Sequence, residues 1–250
     1  MLLSLWNALL YHPTLNLLII LYRLLFSNLG LAIIALTLLI RVVLYPLTVS
    51  SLRDARKQQQ LKGELDAIKK KFEGDKKKQA DAQMELFRRH GINPAAGCLP
   101  QIVQFALLIT LYQVFMNILS VGANGLESLN PLLYLPSLKF LPWETINTHF
   151  LYLDLTKPDP YIIIPGLAGA AQFWASKIML PATKKAEAVA KETIDKKDDF
   201  MYNMQEQMLY LMPVMTIFIG WKLPSGLVLY WLVTTVFSLG QQILVNRKVK

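Results

Sequence analysis

A long apolar run interrupted by a single charge constrains this chain more than any other feature. Between Arg23 and Arg53 the only charged residue is Arg41. Residues 29–50 around it are numerous enough to cross a bilayer, because a helical span needs about 20 predominantly apolar residues. A guanidinium at that depth costs at least ~2.5–3.5 kcal/mol and keeps its charge at physiological pH. Arg41 is therefore a candidate functional residue facing protein or water. The alternative is a structural arginine held by the carbonyls of neighbouring helices.

The other basic residues are concentrated in a few segments of a largely apolar chain. Of the 250 residues 54% are hydrophobic, which is typical of proteins with several membrane spans. The 26 lysines and arginines include 12 in residues 51–90, six in residues 177–206 and three in residues 246–250. Basic residues near span ends mark the cytoplasmic side, and one orientation places all three segments inside. The net charge of +9 thus follows from topology and does not by itself indicate DNA as a partner.

The pattern predicts an all-α integral membrane protein with five transmembrane helices. We expect the spans at residues 29–50, 99–121, 161–179, 207–221 and 225–245. The connecting segments are a cytoplasmic helical hairpin with the following turn (51–98), an outer loop (122–160), a polar cytoplasmic loop (180–206) and a cytoplasmic tail (246–250). Five spans, with the basic segments in the cytoplasm, place the N-terminus outside and the C-terminus inside. The last two spans form an antiparallel pair, since only three residues connect them.

The first 28 residues leave two interpretations open. They carry no charged side chain before Arg23, and we expect His12-Pro13 to break the apolar run. One interpretation is an N-terminal interfacial helix over residues 14–26, with Trp6, Tyr11 and Tyr22 as interfacial aromatics. The alternative is a sixth span, on length alone.

Two amphipathic patterns predict the cytoplasmic hairpin. Apolar residues at helical spacing form one stripe before the Gly74-Asp75 turn and another after it. The stripes consist of Leu61, Leu65, Ile68 and Phe72, and of Ala80, Met84 and Phe87. The remaining faces are rich in charged residues, which we expect to be solvated.

Several polar residues lie within the predicted spans. Thr37 precedes Arg41 by one helical turn on the same face, and Gln101 and Gln104 are one turn apart near the inner end of the second span. No Asp or Glu occurs inside any predicted span, so a water-filled cavity open to the cytoplasm is the simplest way to hydrate Arg41. We expect Gln113 and Asn117 to be ordinary interhelical hydrogen-bond partners. The single cysteine and three separated histidines predict no disulfide, metal site or cofactor.

Three segments resemble the YidC/Oxa/Alb membrane protein insertases. They are LTLLIRVVLYPLT (residues 36–48), NPAAGCLPQIVQFALLITLY (residues 93–112) and LMPVMTIFIGWKLPSGLVLYWLV with the following QQ (residues 211–242). LDLTKPDPYIIIP (residues 153–165) is a weaker match. The resemblance implies five core helices around a hydrophilic groove that is open to the cytoplasm and the lipid and sealed outside. It also implies insertion of small membrane proteins, alone or beside the Sec translocon.

The resemblance also implies roles for single residues. Arg41 matches the groove arginine of the family, Gln104 matches a groove-lining glutamine, and three further residues match positions that contact substrate spans. These three are Thr37, Tyr230 and Trp231. Ala106 stands where the family usually has proline, which predicts a straighter second span. We expect a short form without the large outer domain of Gram-negative members, and ribosome contacts through the inner hairpin and loop.

Two short motifs suggest other functions, a channel or transporter and an intramembrane enzyme. Asn93-Pro94-Ala95 is typical of water channels, but the second such box and the inverted repeat of a small-solute channel or transporter are missing from the sequence. Ser225-Gly226 suggests an intramembrane nucleophile, but no histidine lies within any predicted span to act as base, and a turn serine is the simpler interpretation.

Overall fold

The computed structural model describes residues 2–92, 99–120, 125–179 and 196–248. Some side chains within these ranges are not described, among them Gln101 and residues 196–208 and 246–248. The chain divides into two compact units. One combines Met1–Val42 with Ala106–Gly240, and the other combines Val43–Phe105 with Gln241–Lys250.

Helices dominate the described residues, as the composition predicts. The α-helices are α1 (Leu2–Trp6), α2 (His12–Leu24), α3 (Leu29–Val43), α4 (Tyr45–Gln60), α5 (Lys62–Lys71), α6 (Lys76–Arg89), α7 (Leu99–Ser120), α8 (Ile163–Met179), α9 (Lys196–Lys222) and α10 (Ser225–Lys248). A π-helical turn (Asn7–Tyr11) joins α1 to α2, and two 3-10 helices lie between α7 and α8, at Leu126–Leu132 and Pro136–Leu138. The same connection contains two short antiparallel strands, β1 (His149–Phe150) and β2 (Leu153–Asp154), with His149 opposite Asp154.

Two of the described helices are long and apolar enough to cross a membrane, namely Leu3–Leu24 and Ser225–Val245. A third candidate exists if Leu29–Val43 and Tyr45–Asp54 form one bent span. Ile102–Ile118 and Leu209–Lys222 are shorter apolar helices. The fold is thus that of an α-helical membrane protein, and the five-span arrangement remains a prediction.

The N-terminal segment differs from the expectation. The chain stays helical through His12 and Pro13, because a π-helical turn directly before them accommodates the proline, which has no N–H to donate. Tyr11 and Tyr22 are each only 5% exposed and belong to the main hydrophobic core, so their prediction as interfacial aromatics is wrong.

Two other segments also depart from the predicted boundaries. The helix of residues 29–50 is interrupted at Leu44, since Pro46 cannot donate the backbone hydrogen bond that would continue it and its ring meets the carbonyl four residues earlier. Helix α9 begins at Lys196, so the last part of the predicted cytoplasmic loop is helical. Residues 180–195 and 93–98 lie outside the described part of the chain.

The larger unit is held by one apolar core. Side chains of α2, α3, α7 and α10 that are almost fully buried include Leu15, Leu18, Leu29, Ile33, Leu36, Leu111, Val114, Phe115 and Leu227. Helices α10 and α7 approach closely at Gly226, where a side chain would not fit, because a Cβ there would lie 2.5 Å from the Phe115 ring. Helices α8 and α9 pack in the same way, with Gly169 facing Ile217.

The smaller unit contains the predicted hairpin. Helices α5 and α6 are joined by a turn in which Gly74 has φ +85°, and Lys78 N–H donates to the Asp75 carboxylate at 3.1 Å. The small core consists of Leu61, Leu86 and Ile92, with Leu65, Ile68 and Phe87 packed against it. The first predicted stripe is confirmed for Leu61, Leu65 and Ile68. In the second, Ala80 and Met84 are exposed and Leu86 is buried instead.

Candidate functional site

Arg41 and Thr37 occupy one buried face of α3. Arg41 is only 8% exposed and Thr37 is 1% exposed, and the two lie one turn apart. The Thr37 hydroxyl donates to the carbonyl oxygen of Ile33 at 2.6 Å, as hydroxyls in apolar helices commonly do. The charged residue predicted to face away from lipid does face the protein interior.

Tyr230 of α10 lies beside Arg41. Its side chain is 3% exposed, and its phenol is close enough to the Arg41 guanidinium for the two to interact electrostatically. Both residues belong to the larger unit. The structure therefore brings together two residues that are about 190 positions apart in the sequence and that the resemblance assigned to one site.

The remaining predicted residues divide into three cases. Trp231 follows Tyr230 on α10 and is half-buried, and its carbonyl accepts a hydrogen bond from the Thr235 hydroxyl at 2.9 Å. Gln104 is half-buried on α7 and belongs to the smaller unit, so its grouping with Arg41 stays a prediction. The side chain of Gln101 lies outside the described residues.

The other polar residues of α7 hold the N-terminal helix. Trp6 Nε1–H donates to Gln113 Oε1 at 2.9 Å, and the Asn117 amide donates to the Tyr11 hydroxyl at 2.5 Å. Gln113 and Asn117 are one helical turn apart, so both face the same neighbour. Their prediction as interhelical hydrogen-bond partners is confirmed.

The connection between α7 and α8 is described over residues 125–162, contains most of the predicted outer loop (122–160) and is called the outer loop below. It is hydrogen-bonded to helices at several points. Asn16 of α2, 2% exposed, donates to the Leu132 carbonyl at 2.9 Å and accepts from the Tyr134 N–H at 2.7 Å. The Tyr22 hydroxyl accepts from the Asn147 N–H at 2.9 Å. These contacts join segments more than 100 residues apart, and no local sequence signal indicates them.

The first residues of α10 are hydrogen-bonded to the same loop. Ser225 N–H donates to the Lys157 carbonyl at 2.8 Å, and its hydroxyl donates to the Asp154 carbonyl at 2.9 Å. Gly226 N–H donates to the Leu155 carbonyl at 3.1 Å. Ser225 is fully buried, and its hydroxyl is used to fix the turn. These contacts support the structural interpretation of Ser225 over the nucleophile.

Two ionisable groups of this loop have strongly shifted pKa values. Burial alone would raise the pKa of Asp154, but hydrogen bonds from Thr156 and Lys157 and the charge of Lys157 outweigh it and hold that pKa well below its usual range. Burial, together with the hydrogen bond to the Asp159 carboxylate and its charge, raises the pKa of Tyr152 to about 12. The lowered pKa keeps the Asp154 carboxylate ionised as a hydrogen-bond acceptor, and the raised pKa keeps the Tyr152 hydroxyl protonated as a donor.

Among the described residues, no group of three or more histidine, cysteine, aspartate or glutamate side chains is placed to hold a metal ion. The described site consists of a buried cation, a phenol and hydroxyls on apolar helices. Such a set can bind anionic or hydrogen-bonding groups at membrane depth. Fold and site thus define an α-helical integral membrane protein with a buried arginine in its apolar interior.

Comparison with known proteins identifies the family. The sequence profile of the 60Kd inner membrane protein family matches residues 20–250, and the chain belongs to this family. A protein named membrane protein insertase YidC from Fusobacterium nucleatum is 31% identical over 222 residues, which are 89% of this chain and 88% of that protein. Membrane protein insertase MisCA from Bacillus subtilis is 30% identical over 245 residues, covering 96% of this chain and 79% of the relative.

Other relatives are much longer than this chain. The protein named membrane protein insertase YidC from Wolinella succinogenes is 32% identical over 222 residues, which are 88% of this chain but only 34% of that relative. The chain therefore spans about a third of the length of some curated relatives and most of the length of others. Family and apolar helices together make it a bacterial inner-membrane protein.

Proposed function

We propose that this protein is a membrane protein insertase, which moves the hydrophilic segments of small membrane proteins across the bilayer and releases their apolar segments into the lipid. The observation that carries the proposal is the buried pair of Arg41 and Tyr230 inside otherwise apolar helices. The names of the relatives, which are membrane protein insertases, support the same function. A small-solute transporter or channel is the alternative, and neither the family nor the named relatives favour it.

The energetic problem that such a protein solves is desolvation. Each polar backbone group that enters hydrocarbon without a partner costs several kcal/mol, so a bound hydrophilic segment needs hydrogen-bonding partners at membrane depth. In the proposed mechanism Arg41 attracts acidic side chains, and the low dielectric of the interior strengthens this attraction. Five spans form a hydrophilic groove around it, open to the cytoplasm and the lipid.

The proposed groove includes all six predicted residues. They are Thr37, Arg41, Gln101, Gln104, Tyr230 and Trp231. The aromatic faces of Tyr230 and Trp231 offer apolar segments of the client a surface on which to slide toward the lipid. No covalent bond forms or breaks in these steps, so the mechanism assigns no catalytic residue.

Substitution of Arg41 tests the mechanism directly. Arg41→Ala should impair clients whose translocated tails are acidic more than clients with neutral tails. Arg41→Lys should retain most of the insertion, because it keeps the positive charge. The measurement is protease protection of matched acidic and neutral clients synthesised beside proteoliposomes. Equal insertion by wild type and Arg41→Ala for all clients would remove the electrostatic attraction from the mechanism.

The proposed orientation places the N-terminus outside and the C-terminus in the cytoplasm. It rests on the basic segments, of which residues 51–90 carry a net +5 from 12 basic and seven acidic side chains. In a Cys98→Ser background, a cysteine at Asn147 should react with an impermeant maleimide outside intact cells, and cysteines at Gly74 or Lys191 should not. Outside labelling of Gly74 would overturn the orientation.

The proposed partners are nascent membrane proteins, membrane lipids, the ribosome and the Sec translocon. The exposed lysines of the α5–α6 hairpin support a weak contact with ribosomal RNA or anionic headgroups. Deletion of residues 54–89 with a short linker should leave the spans inserted and reduce client insertion. Full activity of the deletion would make the hairpin dispensable.

A further inference from the structure

One buried hydroxyl on α10 has no partner among the residues that the structure describes. Thr234 is 5% exposed, and its Oγ1 atom makes no hydrogen bond there. Four other buried helical threonines donate to the carbonyl four residues earlier. They are Thr37, Thr48, Thr110 and Thr235, with oxygen-to-oxygen distances between 2.6 and 3.1 Å. An unbonded hydroxyl in an apolar interior is unfavourable, so Thr234 is an exception that needs a physical reason.

The position of Thr234 connects it with the proposed site. It follows Tyr230 by four residues, so both side chains lie on one face of α10, about 6 Å apart along the axis. Tyr230 interacts with Arg41, and Thr37 lies one turn from Arg41 on α3. In the proposed orientation, Thr234 is the next polar residue on this face toward the cytoplasm.

The chemistry of the hydroxyl complements that of the arginine. A guanidinium offers only donors and suits carboxylates and carbonyl oxygens. A threonine hydroxyl donates and accepts, so it can also take a backbone N–H. An extended polypeptide segment presents both N–H and C=O groups, which need partners in an apolar environment.

We propose that Thr234 is a client-binding residue, whose hydroxyl hydrogen-bonds to the unpaired backbone of a hydrophilic client segment bound beside Tyr230 and Arg41. This inference rests on the proposed function and extends it by one residue and one chemical role. The missing internal hydrogen bond is then the cost of keeping the hydroxyl available.

The test compares two adjacent threonines with equal burial. Thr235 is also 5% exposed, but its hydroxyl is bonded to the Trp231 carbonyl. Thr234→Val should lower insertion of an Arg41-dependent client about fivefold to tenfold, as the loss of one hydrogen bond at the site would do, without lowering the melting temperature. Thr234→Ser should retain insertion because it retains the hydroxyl, and Thr235→Val should change insertion less than twofold.

A second measurement separates contact with the client from contact with water. In a Cys98→Ser background, Thr234→Cys should form a disulfide with a cysteine in the translocating tail of a stalled client, and Thr235→Cys should not. Wild-type insertion by Thr234→Val together with a higher melting temperature would overturn the proposal, because the hydroxyl would then be only an unsatisfied core group. Absence of the Thr234→Cys disulfide would overturn it as well. If wild type inserts the client but Arg41→Ala does so equally well, the proposed mechanism fails irrespective of Thr234.

Discussion

The outer loop and the α5–α6 hairpin are both polar connections, but the structure holds them in different ways. The loop is anchored by buried groups, such as Asn16, Asp159 and Ser225, which are at most 2% exposed and bond to backbone atoms. The hairpin has a small core, and its ion pairs are exposed, for example Lys69 with Asp66 at 3.5 Å. Buried anchors fix a segment in one place, whereas exposed pairs stabilise it little. The connection between α7 and α8 is thus fixed by buried hydrogen bonds, and we expect the hairpin to be held less firmly.

The largest expected effect of a single substitution is at Asp159. Its carboxylate accepts from the N–H groups of Tyr161 at 2.9 Å and Ile164 at 2.7 Å, and from the Tyr152 hydroxyl at 3.1 Å. Asp159→Ala leaves these buried and partly buried donors without a partner and should destabilise the protein by about 3 kcal/mol. Thermal unfolding in detergent measures the loss. Asp66→Ala in the hairpin is the control and should leave the melting temperature unchanged. Equal effects would remove the difference between the two regions.

Two glycines should respond to alanine in opposite directions. At Gly226 the added Cβ would lie 2.5 Å from the buried Phe115 ring and 3.1 Å from the Leu155 carbonyl oxygen, so overpacking should cost about 1–3 kcal/mol. At Gly63 in α5 a Cβ meets nothing within 4 Å, and alanine should stabilise the helix by about 0.5 kcal/mol. Thermal unfolding of both variants in detergent shows whether each substitution lowers or raises the melting temperature. Stabilisation by Gly226→Ala would contradict the tight packing of Gly226 against Phe115.

Charge reversal in the hairpin should change binding rather than folding. Reversing Lys69, Lys70 and Lys71 to Glu should weaken co-sedimentation with ribosomes at low salt. The effect should fade at high salt, since the Debye length falls to about 3 Å at 1 M. Lys139→Glu in the outer loop is the control and should have no effect. Unchanged co-sedimentation of the triple variant would move the ribosome contact to the inner loop or the tail.

The smallest effect concerns alkaline pH. The pKa of Tyr152 is raised to about 12, above the ordinary value of about 10, so its contribution to stability is fully present below about pH 10 and is lost as the pH rises toward 12. Tyr152→Phe should therefore make the melting temperature fall less steeply over that range. A pH profile of unfolding in detergent measures the slope. An identical slope in wild type and variant would mean that the Tyr152–Asp159 hydrogen bond does not contribute.

Much of the fold follows from local pattern. Apolar length and the placement of lysine and arginine predict membrane helices, and helical spacing predicts the hairpin with Leu61, Leu65 and Ile68 inside. The second stripe of the hairpin is wrong for Ala80 and Met84, which are exposed, because the helix turns the face of Leu86 toward α5 instead. The N-terminal helix is also misjudged, because Tyr11 and Tyr22 look like interfacial aromatics until their partners in α7 and the outer loop are known.

The sequence by itself determined that Arg41 is a costly charge in an apolar helix, and it placed Thr37 on the same face, since both conclusions need only local spacing and the energy of a buried ion. The tertiary structure alone decided that Tyr230 is close enough to Arg41 to interact with it, that Gln113 and Asn117 hold the N-terminal helix, and that the Thr234 hydroxyl differs from that of Thr235. The reason is physical. Hydrogen bonds and electrostatic contacts between segments far apart in the chain depend on which helix faces come together, and packing of the whole core sets those faces.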